Sequence, residues 1–173
     1  MEALEKVDLV LNHIQNVQRY TQRLGMKLIR RGDVEFGRNL IANGLQHDRS
    51  KFTGIEFEHL FYGDPLLEDV VRHHSSTNTH HPEHWGSIHD MPRLYVAEMV
   101  CDWFSRSTEF GGDIREWINT KATAKFNFSK EDKVYQTIFE FLNLLLDPSF
   151  DSVKKVEQIQ SPPPKAQQAA NHA

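Results

Sequence analysis

Residues 2–32 read EALEKVDLVLNHIQNVQRYTQRLGMKLIRRG, and the spacing of their apolar side chains decides what kind of fold this is. Leu4, Val7, Leu11, Ile14, Val17, Leu24 and Leu28 recur at intervals of three, four or seven, one stripe of an amphipathic helix from about residue 3 to 30. Arg30-Arg31-Gly32 is its stop signal. Asp33 can then cap a second helix reaching about Gln46, with Val34, Leu40, Ile41 and Leu45 turned inward. The helical period continues outward along the chain. A short helix is predicted at 55–62, and Gly63-Asp64-Pro65 breaks it and starts another carrying Leu66, Leu67, Val70 and Val71. A long helix begins at Met91-Pro92 and runs to about Phe110. Two more span about 113–125 and 129–146, the last opened by a Ser129 cap with Asp132 three residues on. No run alternates convincingly with period two. The expectation is an all-α fold, a single compact domain over 1–150 with six to seven helices. Residues 151–173, ending SPPPKAQQAANHA, bury too little to offset chain entropy and are expected to be a disordered tail.

A chain of 173 residues, 39% hydrophobic and 25% charged, is long enough for one real core. The formal charge of −4 comes from interspersed acids and bases, so neither a nucleic-acid footprint nor a basic membrane patch is advertised. Cys101 stands alone and cannot form an internal disulfide, and MEALEKVDLVLNHI lacks the basic-then-apolar order of a secretion signal. The longest apolar stretches, such as FEFLNLLL, fall far short of the roughly 20 residues of a membrane-spanning helix. A soluble, cytoplasmic protein is expected.

Histidine is the unusual residue. Of ten, six fall within 73–89: His73, His74, His80, His81, His84 and His89. Neutral imidazole is the commonest protein metal ligand, and carboxylates join it where a metal activates water. A solvated, His-rich loop is the plainer alternative for each one singly. Asp102 lies in an apolar segment, MPRLYVAEMVCDWFSR, with Glu98 four residues before it on the same face. Like charges at that spacing repel, and burial demands a nearby cation. A divalent metal meets that demand; so does a Glu98–Asp102–Arg106 ladder on a wet face. His13 borders the buried stripe of the first helix, where it is either a core histidine or a ligand. With His47, Asp48 and Asp102 it completes the order His, His-Asp, Asp on different predicted helices.

That order resembles the HD superfamily of metal-dependent phosphohydrolases. The resemblance lies in LNHIQNVQRY for the first His, LQHDRSK for the pair with a Lys three residues on, and EMVCDW for the last Asp. VVRHHSSTNTHHPEHW is similar to the region in which two-metal members carry extra histidines. More closely, HDRSKF, HHPEHW and MPRLYVAEMVCDW resemble a family of small, often phage-encoded proteins of unknown function related to that superfamily, over roughly residues 10–146. The resemblance implies one or two divalent ions (Mn, Fe, Co, Ni, Mg or Zn) held by His13, His47, Asp48 and Asp102, with His73, His74, His80 and His81 as further ligand candidates. It implies that Asp48 bridges to a second ion and that an acidified water attacks a phosphate ester. Lys51, Arg72 and Arg106 are candidates for holding phosphate charge, and Asp48, Lys51 and His74 for catalysis, His74 as a proton donor. The expected partner is a small phosphate ester, above all a nucleotide, and a homo-oligomer is compatible with this reading. Two other readings stay open: an HD-type di-iron oxygenase, and a non-catalytic binding protein stabilised by its metal.

Overall fold

A computed structural model describes residues 3–63 and 66–150. The described chain is all-α, with no strand. Its helices are α1 (Ala3–Arg30), α2 (Val34–Gly44), α3 (Gly54–Tyr62), α4 (Leu67–Thr77), α5 (Arg93–Glu109), α6 (Ile114–Trp117), α7 (Thr123–Phe126) and α8 (Lys133–Leu146). Between α6 and α7 the helix continues as a π-turn, Ile118–Ala122, and single 3₁₀ turns fill Arg49–Phe52, Pro82–Trp85 and Ile88–Asp90. The expected tail and the expected helix-starting role of Pro65 fall outside the described residues.

The centre of the molecule is α5. Val96 to Trp103 are buried without a break, so this helix is covered all round, by α1, α2 and α8. Ile14, Val17, Leu24 and Leu28 of α1, Leu40 of α2, and Ile138, Phe141, Leu142 and Leu145 of α8 supply the surrounding apolar layer. No described helix is long and apolar enough to cross a membrane.

The α1–α2 hairpin is drawn tight by glycines. A Cβ on Gly37 would sit 2.5 Å from the Gly25 carbonyl oxygen, and one on Gly44 would sit 2.0 Å from Thr21 Oγ1. The α2 backbone meets the α1 backbone at Gly37 and the Thr21 side chain at Gly44, with no room for a Cβ at either, which fixes where the end of α2 lies against the middle of α1. At the far end Lys27 is 2% exposed, and its ammonium donates to the carbonyls of Leu144 (3.2 Å), Leu145 (2.9 Å) and Asp147 (2.7 Å). A cation thus satisfies the orphan carbonyls at the C-terminus of α8 and ties that helix to α1.

Several local expectations are corrected. Leu4 and Leu11 in the predicted stripe are exposed, and the buried face of α1 begins only at His13 and Ile14. Val34 and Leu45 are also exposed, and only Leu40 of that predicted face is fully inside. Asp33 stands at the N-terminus of α2 without a side-chain capping bond. The helix ends at Gly44, and Leu45 to Asp48 form turns that lead into the 3₁₀ segment. On α4, Leu66, Leu67 and Val71 are exposed and Val70 alone is buried. Ser129 does not cap α8, which starts at Lys133; instead the Asp132 carboxylate accepts from the Ser129 N–H (2.7 Å) and hydroxyl (3.0 Å), closing the turn before it. Asp113, by contrast, caps α6 by accepting from the N–H groups of Arg115 and Glu116.

Candidate metal centre

His47 and Asp48 project from the turn after α2, and Asp48 has φ 56° and ψ 21°. Left-handed backbone is uncommon for a residue with a Cβ, though Asp tolerates it better than most, and such positions cluster at functional sites. This conformation turns the Asp48 carboxylate into the protein between α1, α5 and the loop after α4. His13 Nε2 from α1 lies 3.1 Å from Asp102 Oδ1 of α5 and 3.9 Å from Asp48 Oδ2. His47 Nε2 lies 3.7 Å from Asp48 Oδ1. On the other side, His74 Nε2 at the end of α4 and His80 Nε2 from the loop approach Asp48 Oδ1 at 3.2 and 3.4 Å. His81 packs beside them, its ring tilted against that of His80 with centroids 4.3 Å apart and edge-on to that of His74 at 4.8 Å. His13, His47, Asp48, Asp102 and His80 are all buried.

Three glutamates orient the imidazoles. His13 Nδ1 is 2.9 Å from Glu109 Oε1, His47 Nδ1 is 2.9 Å from Glu98 Oε1, and His74 Nδ1 is 2.8 Å from Glu56 Oε2. A carboxylate only accepts, so each Nδ1 donates to its glutamate and each Nε2 is turned to the centre, that of His13 toward Asp102 and Asp48 and those of His47 and His74 toward Asp48. The glutamates are held in turn: Glu109 by the Ser105 hydroxyl (2.7 Å), Glu98 by the Asn43 amide, Glu56 by the Ser50 hydroxyl (3.1 Å). Asn78 steadies Ser50 at 2.9 Å.

The centre fits a divalent cation. His47 Nε2, Asp48 Oδ1 and His81 Nε2 are buried side-chain atoms with no hydrogen-bond partner. Leaving one such atom unsatisfied costs about 1–3 kcal/mol, a cost that coordination removes. His13–His47–Asp48 and His74–His80–His81 are two groups whose ligand atoms lie within 4.8 Å of one another, with Asp48 between them. The donors are nitrogen and oxygen without a thiolate, since the Cys101 thiol is buried and pushed well above its usual range by burial and by Glu98 and Asp102.

Without a cation the charges are shared with protons. Burial resists charge on His47, but Asp48, Glu98 and Asp102 overcome it and raise its pKa to about 9. Burial likewise resists ionisation of Asp48, and His47, His74 and Lys51 hold its carboxyl well below the usual range regardless. Asp102 is lowered against burial by His13, His47 and His80. His81 goes the other way, to about 4, through burial and the charge of His74; burial and His47 similarly lower His80.

The remaining predicted site residues divide. Lys51 Nζ is 3.9 Å from Asp48 Oδ2 and 3.3 Å from His74 Nδ1, at the rim of the centre. His73 is not brought to Asp48: its Nδ1 lies 3.0 Å from Glu56 Oε1 and its side chain is 41% exposed. Arg72 is turned to solvent by α4, 71% exposed, where it pairs with Asp69. Arg106 does not close a ladder with Asp102; it pairs with Glu109 at 3.4 Å beside the cavity that reaches His81. His84 and His89 serve the loop, bound to the carbonyls of Ser76 (2.8 Å) and Asn127 (3.2 Å). The glutamates Glu56 and Glu109 escaped the sequence reading. Glu109 had a signal, since Glu98, Asp102, Ser105 and Glu109 form a polar stripe at helical spacing through an apolar helix. Glu56 had none, because its partner arrives from α4, whose position no local spacing reveals.

No curated protein and no solved structure matches the chain. One family model does, over residues 3–147, a span that takes in His13, His47, Asp48, Asp102 and all three glutamates, and by that match the chain belongs to a family of unknown function, DUF5662.

Proposed function

We propose that the protein is a metal-dependent phosphohydrolase acting on a small phosphate ester, of which nucleotides are the leading class, as the sequence resemblance to the HD superfamily implies. The observation that supports it most is the set of three glutamate-held imidazoles with Nε2 atoms converging on Asp48. His13, His47, Asp48 and Asp102 would hold one divalent ion (Mn, Fe, Co, Ni, Mg or Zn); His74, His80 and His81, sharing Asp48, would hold a second. Such an ion supplies a Lewis acid for phosphoryl oxygen and water acidified to near neutrality. Glu109, Glu98 and Glu56 keep the Nδ1 protons in place and the rings in register. Lys51 places positive charge at the rim, where a phosphate arrives. Where His74 is not a ligand it would serve as proton donor to the leaving oxygen, its ring held by Glu56 at 2.8 Å.

Metal analysis of the purified protein after loading with each ion, followed by a phosphate-release screen over nucleotides and sugar phosphates, tests this reading. The expected result is one or two ions per chain and turnover abolished by chelator. A chain that retains no ion, or releases no phosphate from any ester while fully loaded, would overturn it. The paired His groups about Asp48 would equally suit two irons, and the same metal analysis separates that chemistry: two irons with a visible absorption band and dioxygen consumption would replace hydrolysis by oxidation.

A further inference from the structure

Beside the metal centre lies a second feature that the hydrolytic reading does not use. A cavity of about 430 Å³ opens between α5 and the α6–α7 segment, with Trp103, Trp117 and Phe126 among its walls and His81 at its inner end. Its volume lies within the roughly 300–1,000 Å³ of small-molecule sites. The Trp103 ring meets that of Trp117 edge-on at 4.8 Å and lies nearly parallel to that of Phe126, 13° apart in plane at 5.7 Å. Trp117 and Phe126 reach the same cavity by an unusual backbone. Nine residues apart, they would fall on opposite faces of an uninterrupted α-helix at 3.6 residues per turn. The π-turn Ile118–Ala122 takes up an extra residue and swings them to one side. A π-turn gives up regular helix hydrogen bonding and is frequent at functional sites. Here it delivers both rings to the wall.

Two cations and one carboxylate, Asp113, stand in the wall of the cavity. Arg106 and Lys125 line it, and both also line a neighbouring cleft that carries Lys51 and His74; His81 belongs to both as well. The acids that the two cations pair with are exposed or half-exposed, Glu109 with Arg106 at 3.4 Å and Glu83 with Lys125 at 3.2 Å. Pairs of that kind are weak enough for an incoming anion to displace. Lys125 Nζ also rests 4.6 Å from the centroid of Phe126, at the junction of the aromatic wall and the charged rim.

We infer that this cavity is a recognition site for a flat aromatic ring joined by a short linker to a phosphate: the ring enters beside Trp103, Trp117 and Phe126, and the phosphate sits between Arg106 and Lys125, next to His81. The inference rests on the phosphate-ester reading for its chemistry but assigns a different set of residues. A nucleobase and a simple aryl group share this chemistry, and Trp117, 36% exposed, is the wall residue best placed to take either.

Calorimetric binding with the full chain, with and without manganese, tests it, using adenosine 5′-monophosphate, 1-naphthyl phosphate, ribose 5-phosphate and adenosine as probes. Both ring-bearing phosphates should bind about tenfold or more tightly than ribose 5-phosphate, the gain that stacking on an aromatic side chain provides. Tight binding by only one of them supports the site and identifies its source as nucleobase or aryl. Trp117→Ala should erase the difference and Trp117→Phe restore most of it, while Arg106→Ala and Lys125→Ala weaken both phosphates and leave adenosine unaffected. Equal affinity for ring-bearing and ring-less phosphates, or no binding of either, overturns the inference. Should Trp117→Ala fail to fold by circular dichroism, quenching of tryptophan fluorescence in the natural chain by 1-naphthyl phosphate, and not by ribose 5-phosphate, carries the decision, and absence of selective quenching overturns it. Binding without turnover would sink the hydrolase reading and leave the cavity assignment standing. Equal turnover of ribose 5-phosphate and adenosine 5′-monophosphate with no difference in affinity would do the reverse.

Discussion

Asp48 concentrates the chemistry of this protein in one side chain. From sequence alone, Glu98 and Asp102 read as mutually repelling carboxylates; around Asp48 the structure sets basic groups instead. Asp48 faces His47, His74 and Lys51, which hold its carboxyl well below the usual range, so its ionised form contributes stability above the unfolded carboxyl range and loses it as the pH falls. Asp48→Asn keeps the left-handed backbone, which Asn also tolerates, but removes a ligand charge. Metal retention should fall at least tenfold, and the melting temperature under chelator should drop as well. Metal stoichiometry by mass spectrometry and thermal melts with and without chelator check both; undiminished metal would remove Asp48 from the centre.

At the scale of elements, the site depends on how α1, α2, α5 and α8 are set against one another. His13 and Lys27 lie on the same helix, one reaching into the metal centre and the other gripping the end of α8. Lys27→Met keeps most of the buried stem but leaves three carbonyls without their cation. A loss of roughly 1–3 kcal/mol of stability is expected, about the cost of unsatisfied buried groups. Metal content per folded chain should stay unchanged, because Lys27 lies about 20 Å along α1 from His13. Denaturant unfolding of loaded and chelated protein separates the two effects, and a variant as stable as the natural chain would show that water replaces the ammonium without cost.

For the molecule as a whole, the metal-free protein should be most stable near pH 6.5. His47, raised to about 9, stabilises the fold fully below its unfolded value of 6.5 and loses that contribution as the pH rises through 9. His81, lowered to about 4, favours the fold in its neutral form; that contribution is present above 6.5 and is lost as the pH falls toward 4. Melting under chelator should therefore decline on both sides of the maximum. A bound ion displaces the His47 proton, so the stabilisation added by metal should widen between pH 6.5 and 9. Melting curves across pH 4–9.5, with and without manganese, measure this, and a flat chelated profile would contradict the buried charge network.

Much of this protein is local in its sequence. Helical periodicity made the all-α class and the extents of α1 and α5 legible, because a 3.6-residue stripe is a property of neighbouring residues. The order His13, His47-Asp48, Asp102 on predicted helices, together with the His loop, carried the resemblance that implied a shared metal centre. What the sequence could not decide was convergence and facing. That Arg72 points to solvent while His74, two residues on, points inward depends on where α4 docks. That Leu4 and Val34 are exposed depends on which partner is absent over each turn. Glu56 meets His74, Glu109 meets His13, and Trp117 shares a wall with Phe126 only because packed helices and a π-turn bring distant side chains to one place. Local spacing sets which face a side chain occupies on its own helix; only the three-dimensional packing of helices sets what that face meets.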